Sequence, residues 1–124
     1  MTIVDRAKQT LWKKSGLKHD QKGYLAKPEM NLLPGVKPEM TKNDYENGKG
    51  HEWGRKFRAI HSSAALAANT FGRWKSESAR LMFAGQTGFD KLKLEAKCPT
   101  GLGGTPPHLD VLLLVEPVTV VDAN

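Results

Sequence analysis

The stretch from Cys98 to Val115 constrains the fold of this chain more than any other. Its first part, Pro99–Pro107, contains three glycines and three prolines. This part can continue neither a helix nor a strand ladder, because glycine readily adopts positive φ and proline lacks a backbone donor. The following residues, Leu109–Val115, are apolar except for Asp110. An apolar run of this length predicts a strand that is covered on both faces.

Asp110 is the charged residue in this apolar run. A carboxylate in such surroundings costs free energy unless it is paired, hydrogen-bonded or bound to a cation. Asp110 is therefore a candidate metal ligand. The alternative interpretation is an aspartate in a solvated turn at the edge of the strand.

Composition limits the class of protein. The chain has 124 residues and a net charge of +6, which fits one domain and favours anionic partners such as nucleic acid, although the charge could serve solubility alone. A single cysteine, Cys98, excludes an intramolecular disulfide and predicts a cytoplasmic location. The apolar runs are too short to span a bilayer, so we expect no membrane partner.

The pattern along the chain predicts two parts. Residues 1–47 would hold a short helix over Thr2–Trp12, ended by Gly16, and then an extended arm. Ser15–Gly50 is rich in lysine, proline and glycine, and we expect little regular structure and few core contacts in Ser15–Asn47. Residues 48–124 would form a domain of helices and strands.

The second part shows helical spacing first and strand patterns afterwards. The predicted helices are Asn43–Asn69 and Arg73–Gly85, and the predicted strands are Leu92–Ala96, Leu109–Val115 and Val118–Val121. The fold class is therefore α+β, with N-terminal helices followed by a small antiparallel β-meander. We expect the helical stretch Ile60–Ala68 to pack on one face of the sheet.

Two motifs carry a resemblance to a known family. They are the helix-like HSSAALAANTFG of His61–Gly72 and the turn and strand PTGLGGTPPHLDVLL of Pro99–Leu113. With them, the chain resembles uncharacterised restriction-endonuclease-like proteins of the PD-(D/E)XK nuclease superfamily from about Glu52 to Val121. The resemblance implies the front half of an α/β nuclease core, hydrolysis of phosphodiesters with Mg²⁺, DNA as the partner, and Asp110 as a catalytic metal ligand.

One element of the family pattern is missing. In the family, a carboxylate-x-lysine element follows on the next strand, which here is Pro117–Val121. Asn124 stands about where the glutamate would stand, and the lysine would follow the last residue. We therefore expect an inactive fragment or degenerate form, through truncation, a frameshift or a genuine short variant. The alternatives are a non-enzymatic basic module that binds nucleic acid and a small interaction protein.

Glu95 is the candidate for a second catalytic and metal-binding carboxylate, since it lies on the preceding strand. The triplet Glu95-Ala96-Lys97 has the form of the missing element, but Asp90 precedes it too closely to occupy a neighbouring strand. An ordinary half-exposed strand explains the same alternation. Glu52, at the start of the long helix, could add an acidic group, although a favourable interaction with the helix N-terminus explains it better.

Basic residues near the start of the long predicted helix are candidates for nucleic-acid contacts. They are Arg55, Lys56, Arg58 and His61. Arginine and lysine side chains bind phosphate oxygens without reading sequence, so we expect weak, salt-sensitive binding. The alternatives are a solvated basic surface and a histidine packed beside the sheet.

Overall fold

A computed structural model of the chain describes residues 1–47, 52–104 and 106–115. The α-helices are α1 (Ile3–Ser15), α2 (Pro38–Glu46) and α3 (Ser63–Phe71), the strands are β1 (Lys91–Lys97) and β2 (His108–Leu114), and short 3-10 turns cover Pro28–Asn31, Lys56–Arg58, Gly72–Trp74 and Ser78–Arg80. The predicted α+β class is confirmed. The likeness to a nuclease core stays a prediction.

Helix α1 has clear signals at both ends. Thr2 and Asp5 form a reciprocal capping box at its start, and Gly16 ends it with φ 67°. The short N-terminal helix predicted from the sequence is therefore confirmed. None of its residues is buried, but the half-buried Trp12 attaches it to the rest of the molecule through a hydrogen bond to His61.

The prediction of little regular structure and few core contacts over Ser15–Asn47 is wrong. Pro38 occupies the first turn of α2, a position that needs no backbone donor and suits the fixed φ of proline. Leu25 and Tyr45 are each 1% exposed. The prolines that argued against a helix here therefore include one that starts a helix, and the segment supplies part of the core.

The long helix predicted over Asn43–Asn69 is also wrong. Helix α2 ends at Glu46, a 3-10 turn covers Lys56–Arg58, and α3 begins only after Ser62, whose hydroxyl accepts a hydrogen bond from the Ala65 amide. Trp53 and Phe57 are both buried, with their rings 4.8 Å apart. Their helical spacing thus reflects a buried turn that brings both rings to the same side.

The helix predicted over Arg73–Gly85 is replaced by two 3-10 turns. The buried Ser78 hydroxyl donates to the Phe89 carbonyl at 2.7 Å, and the Gly88 amide donates to Ala79. Serine side chains compete with helical hydrogen bonds in this way. The apolar residues of this stretch therefore reach the core from irregular structure.

The sheet follows the predicted pairing. Strands β1 and β2 are antiparallel, with Leu92 opposite Leu113 and Leu94 opposite Val111. Coverage of β2 on both faces is not observed within the described residues, since none of its residues is buried and Leu109 is 41% exposed. The third predicted strand, Val118–Val121, lies outside the described residues.

The core lies between α3, the buried turn that carries Trp53 and Phe57, and the inner face of the sheet. Its buried members are Tyr45, Trp53, Phe57, Ala65, Ala68, Leu81, Phe89, Leu92 and Leu94. The small side chains of Ala65 and Ala68 let α3 approach the strands closely, which confirms the prediction of a helix packed on one face. In the part of the chain that the structure describes, no helix has the length and apolar character needed to cross a bilayer.

Candidate functional site

A cleft of about 440 Å³ opens where the start of α3 meets the middle of the sheet. We call it the acidic cleft, because three carboxylates lie in its wall. Its lining residues are Tyr24, Glu52, Lys56, Ala59, His61, Ser62, Ser63, Ala64, Glu95 and Asp110. The structure therefore brings together both predicted metal ligands and two of the four predicted nucleic-acid contacts.

The strand register places Glu95 opposite Asp110. Leu94 pairs with Val111 and Ala96 with Leu109, so Glu95 and Asp110 lie at the same level of the two strands, although they are not themselves paired in the ladder. Like charges on neighbouring strands repel each other. The negative charge of Asp110 accordingly acts against the charged form of Glu95.

The backbone at Glu95 departs from strand geometry. Its φ is +51°, a left-handed conformation that costs a non-glycine residue roughly 1–2 kcal/mol. Regular alternation would put Glu95 on the face of Lys93 and Lys97, away from α3. Instead, Glu95 lines the acidic cleft together with Ala64 of α3. A left-handed backbone and a place in the acidic cleft thus coincide at Glu95.

The Glu95 carboxylate has no hydrogen bond or ion pair within residues 1–47, 52–104 and 106–115. Partial burial is the largest cause that raises its pKa, and the negative charges of Glu52 and Asp110 raise it further, whereas His108 and Lys56 act in the opposite direction. A cation in the cleft would relieve this excess negative charge.

The other two carboxylates differ in their surroundings. Glu52 is half-buried and forms an ion pair with the exposed Lys56, at 3.8 Å between Oε1 and Nζ. Asp110 is exposed near the start of β2. Lys56 thus partly neutralises the charge of Glu52, whereas the carboxylate of Asp110 is accessible from solvent.

The donor chemistry of the cleft fits a hard divalent cation such as Mg²⁺, which prefers carboxylate oxygen and is often held by only one or two carboxylates with several waters. Among the described residues, no group of three histidine, cysteine or acidic side chains is arranged to hold one ion. Glu95 and Asp110 are the two predicted ligands in the cleft, and a cation bound there would need water for most of its coordination.

The predicted basic cluster does not stay together. Lys56 and His61 line the acidic cleft, whereas Arg58 lies over the Tyr24 ring at 5.7 Å and its Nη1 donates to the Leu25 carbonyl at 3.4 Å. Arg55 is exposed before the 3-10 turn. The Arg58 side chain thus stabilises the fold of the N-terminal segment in addition to any contact with phosphate.

Lys97 does not line the acidic cleft. It lines a separate shallow cavity with Asp44 and Glu95, so the two ends of the Glu95-Ala96-Lys97 triplet share that cavity while Glu95 alone also reaches the acidic cleft. The lysine that lines the acidic cleft is Lys56.

His61 is held from the N-terminal side of the chain. The Trp12 indole N–H donates to its Nδ1 at 3.0 Å, and the Tyr24 ring lies 6.4 Å from it. Burial lowers the pKa of His61, and the nearby charge of Lys8 lowers it further. No local pattern predicts this arrangement, since Trp12 and His61 are 49 residues apart.

Comparisons with family models, with curated proteins and with solved structures found no match to the chain. The resemblance to the nuclease superfamily therefore stays a prediction.

Proposed function

We propose that the chain is a degenerate or partial nuclease-like protein whose acidic cleft binds Mg²⁺ and, through it, the phosphodiester backbone of nucleic acid. The observation that carries this proposal is the meeting of Glu95 and Asp110 in one cleft with Glu52, Lys56 and His61. Three carboxylates repel a phosphate unless a cation lies between them.

This arrangement favours a metal-dependent site over a purely basic binding surface. A basic surface needs its arginines and lysines on one exposed face, whereas here Arg58 is turned toward Tyr24 and Leu25. A carboxylate that is strained, partly buried and unpaired among the described residues is typical of functional sites. The single Cys98 agrees with a reducing, cytoplasmic setting.

Each residue of the cleft has a role in this proposal. Glu95 and Asp110 would hold the cation, and Glu52 would orient Lys56 through their ion pair. Bound Mg²⁺ would bind a phosphate oxygen and polarise the phosphorus for attack by water. Lys56, at the open side of the cleft, would contact the neighbouring phosphate.

We expect the chain to bind nucleic acid but not to hydrolyse it detectably. The one lysine lining the cleft among the described residues has a side chain that is 77% exposed, and it is paired with Glu52. A mobile, solvated lysine stabilises transition-state charge poorly, because catalysis depends on preorganised groups in a water-excluded site.

The first test measures cation binding. Mg²⁺ titrated into the ¹⁵N-labelled chain should shift the amide signals around Glu95 and Asp110. Asp110→Asn and Glu95→Gln should each weaken this binding about tenfold, since each removes one of two charged ligands. Glu29→Gln, at an exposed carboxylate outside the cleft, is the matched control and should bind as the unmodified chain does. Equal binding in all four proteins would contradict the proposal.

The second test separates the candidate functions. Binding of a short oligothymidylate should strengthen when Mg²⁺ is added, and Asp110→Asn should remove that increase. Binding that depends on salt but not on Mg²⁺ would favour the basic module instead. No binding would favour the interaction protein. Plasmid nicking that needs Mg²⁺ and disappears in Asp110→Asn would show an active nuclease and refute the expected inactivity.

A further inference from the structure

The contact between Trp12 and His61 joins the N-terminal helix to the acidic cleft. Trp12 lies on α1, none of whose residues is buried, and its indole also lies 5.7 Å from the His61 ring, centroid to centroid. Gly23 closes over the indole, because a Cβ at that position would come within 2.3 Å of the Trp12 ring. The indole thus packs against the backbone of Gly23 at the same edge that carries its N–H.

The direction of this hydrogen bond determines which nitrogen of His61 carries the proton. An indole N–H can only donate, so Nδ1 must accept and cannot itself be protonated. The neutral ring then carries its hydrogen on Nε2. A histidine held in this form is a hydrogen-bond donor through Nε2 and offers no acceptor for a proton from a nucleophile.

We propose that Trp12 is a positioning residue that fixes His61 as a neutral Nε2–H donor to a phosphate oxygen of the nucleic acid in the acidic cleft. This inference rests on the proposed function and adds a role for α1, which the cleft residues alone do not suggest. The donor complements the cation site, since His61 lines the same cleft as Glu95 and Asp110. His61 is then a binding residue for phosphate and does not act as the general base.

Charged groups of α1 and of the acidic cleft lie near the ring. Lys8 on α1 acts on His61 directly, Lys56 and Glu52 line the same cleft as an ion pair, and Glu95 and Asp110 line it too. Burial and the cationic Lys8 both lower the pKa of His61, so the experiment examines the neutral ring.

The experiment reads the tautomer first, without any ligand. Long-range ¹H–¹⁵N spectra of the His61 imidazole, at a pH where the ring is neutral, should show protonated Nε2 and unprotonated Nδ1. In Trp12→Phe, which keeps an aromatic ring but removes the donor, both tautomers should be populated. Trp74→Phe, at the half-buried tryptophan beside Arg73, is the matched control and should leave His61 unchanged. An unchanged His61 in Trp12→Phe would overturn the positioning role.

The second measurement is the affinity for a short oligothymidylate in Mg²⁺. Trp12→Phe should weaken it about fivefold, the effect of one hydrogen bond. His61→Gln, whose amide N–H can replace Nε2–H, should bind better than His61→Ala. Equal affinity of both His61 variants with the unmodified chain would overturn the phosphate contact. If the unmodified chain binds no oligothymidylate, the proposed function and the phosphate contact both fail, while the ligand-free spectra still decide whether Trp12 sets the tautomer.

Discussion

Two carboxylates are associated with adjacent residues of strand β1, and their surroundings differ. One belongs to Asp44, which is hydrogen-bonded to Leu94, and the other to Glu95. Asp44 of α2 accepts hydrogen bonds from the Leu94 amide, at 3.0 Å, and from the Lys75 ammonium. Glu95, the next residue along the strand, has no such partner among the described residues and lies opposite another carboxylate. Asp44 therefore stabilises the fold, whereas Glu95 adds charge repulsion and backbone strain to it.

The difference indicates where this chain departs from its most stable arrangement. Asp44 accepts the hydrogen bond of a β1 amide and so joins α2 to the sheet. The same carboxylate oxygen also binds Lys75. At Glu95, three unfavourable features coincide, namely a left-handed backbone, partial burial and nearby like charges. Strain of this kind persists where the surrounding structure enforces it, and it concentrates at functional sites. This contrast is the main structural support for a ligand at Glu95.

The largest expected effect is at Asp44. Asp44→Ala should lower the free energy of unfolding by about 2–3 kcal/mol, because it removes a charge-assisted bond to Lys75 and leaves the Leu94 amide without its acceptor. Urea denaturation followed by circular dichroism measures the change. Glu77→Ala breaks an exposed ion pair with Arg80, 3.8 Å long, and should change stability by no more than about 0.5 kcal/mol. Equal losses in the two variants would mean that Asp44 does not join α2 to the sheet.

The sequence predicted some of these elements and could not predict others. The alternation of Leu92 and Leu94, followed by the apolar run after Asp110, identified both strands and their pairing. Local signals also identified α1 through Gly16. The spacing of Trp53 and Phe57 misled, because a buried 3-10 turn presents two rings on one side as a helix does.

The candidate site was predictable only in part, for a physical reason. The sequence identified Asp110 and Glu95 as candidate metal ligands, since carboxylates on neighbouring strands can converge on a cation. The positive φ of Glu95 and the approach of α3 that completes the cleft are features that no periodicity reveals. Trp12 reaches the site through a contact between distant segments, and such contacts leave no trace in local sequence.

A smaller effect tests the strain at Glu95 apart from its charge. Glu95→Gly should be more stable than Glu95→Ala by about 1 kcal/mol, because both remove the carboxylate and only alanine pays for the left-handed backbone. At Lys93, on the same strand with ordinary φ, the order should reverse, with glycine less stable than alanine by about 0.5–1 kcal/mol. Chemical denaturation of the four variants measures both differences. The same order at both positions would show that Glu95 is not strained.

The smallest expected effect concerns the charge of Glu95 and its pH dependence. The folded chain raises the pKa of this carboxyl above its ordinary value of 4.5, so the folded state binds the proton more tightly than the unfolded state. Stability is then undiminished below the ordinary value and falls as the pH rises from there through the folded pKa. The unmodified chain should therefore lose stability relative to Glu95→Gln over that window, and added Mg²⁺ at neutral pH should restore part of it.

Asp20 supplies the matched control with the opposite sign. Hydrogen bonds from the Tyr24 and Lys22 amides lower the pKa of its carboxyl, so its contribution to stability is present above the ordinary value and lost as the pH falls through the folded pKa. Compared with Asp20→Asn, the unmodified chain should lose stability toward low pH. Denaturation curves at several pH values, with and without Mg²⁺, measure both differences. If the Glu95→Gln difference has the same sign as the Asp20→Asn difference, or does not respond to Mg²⁺, Glu95 is a satisfied structural carboxylate like Asp44 and the contrast between the two positions disappears.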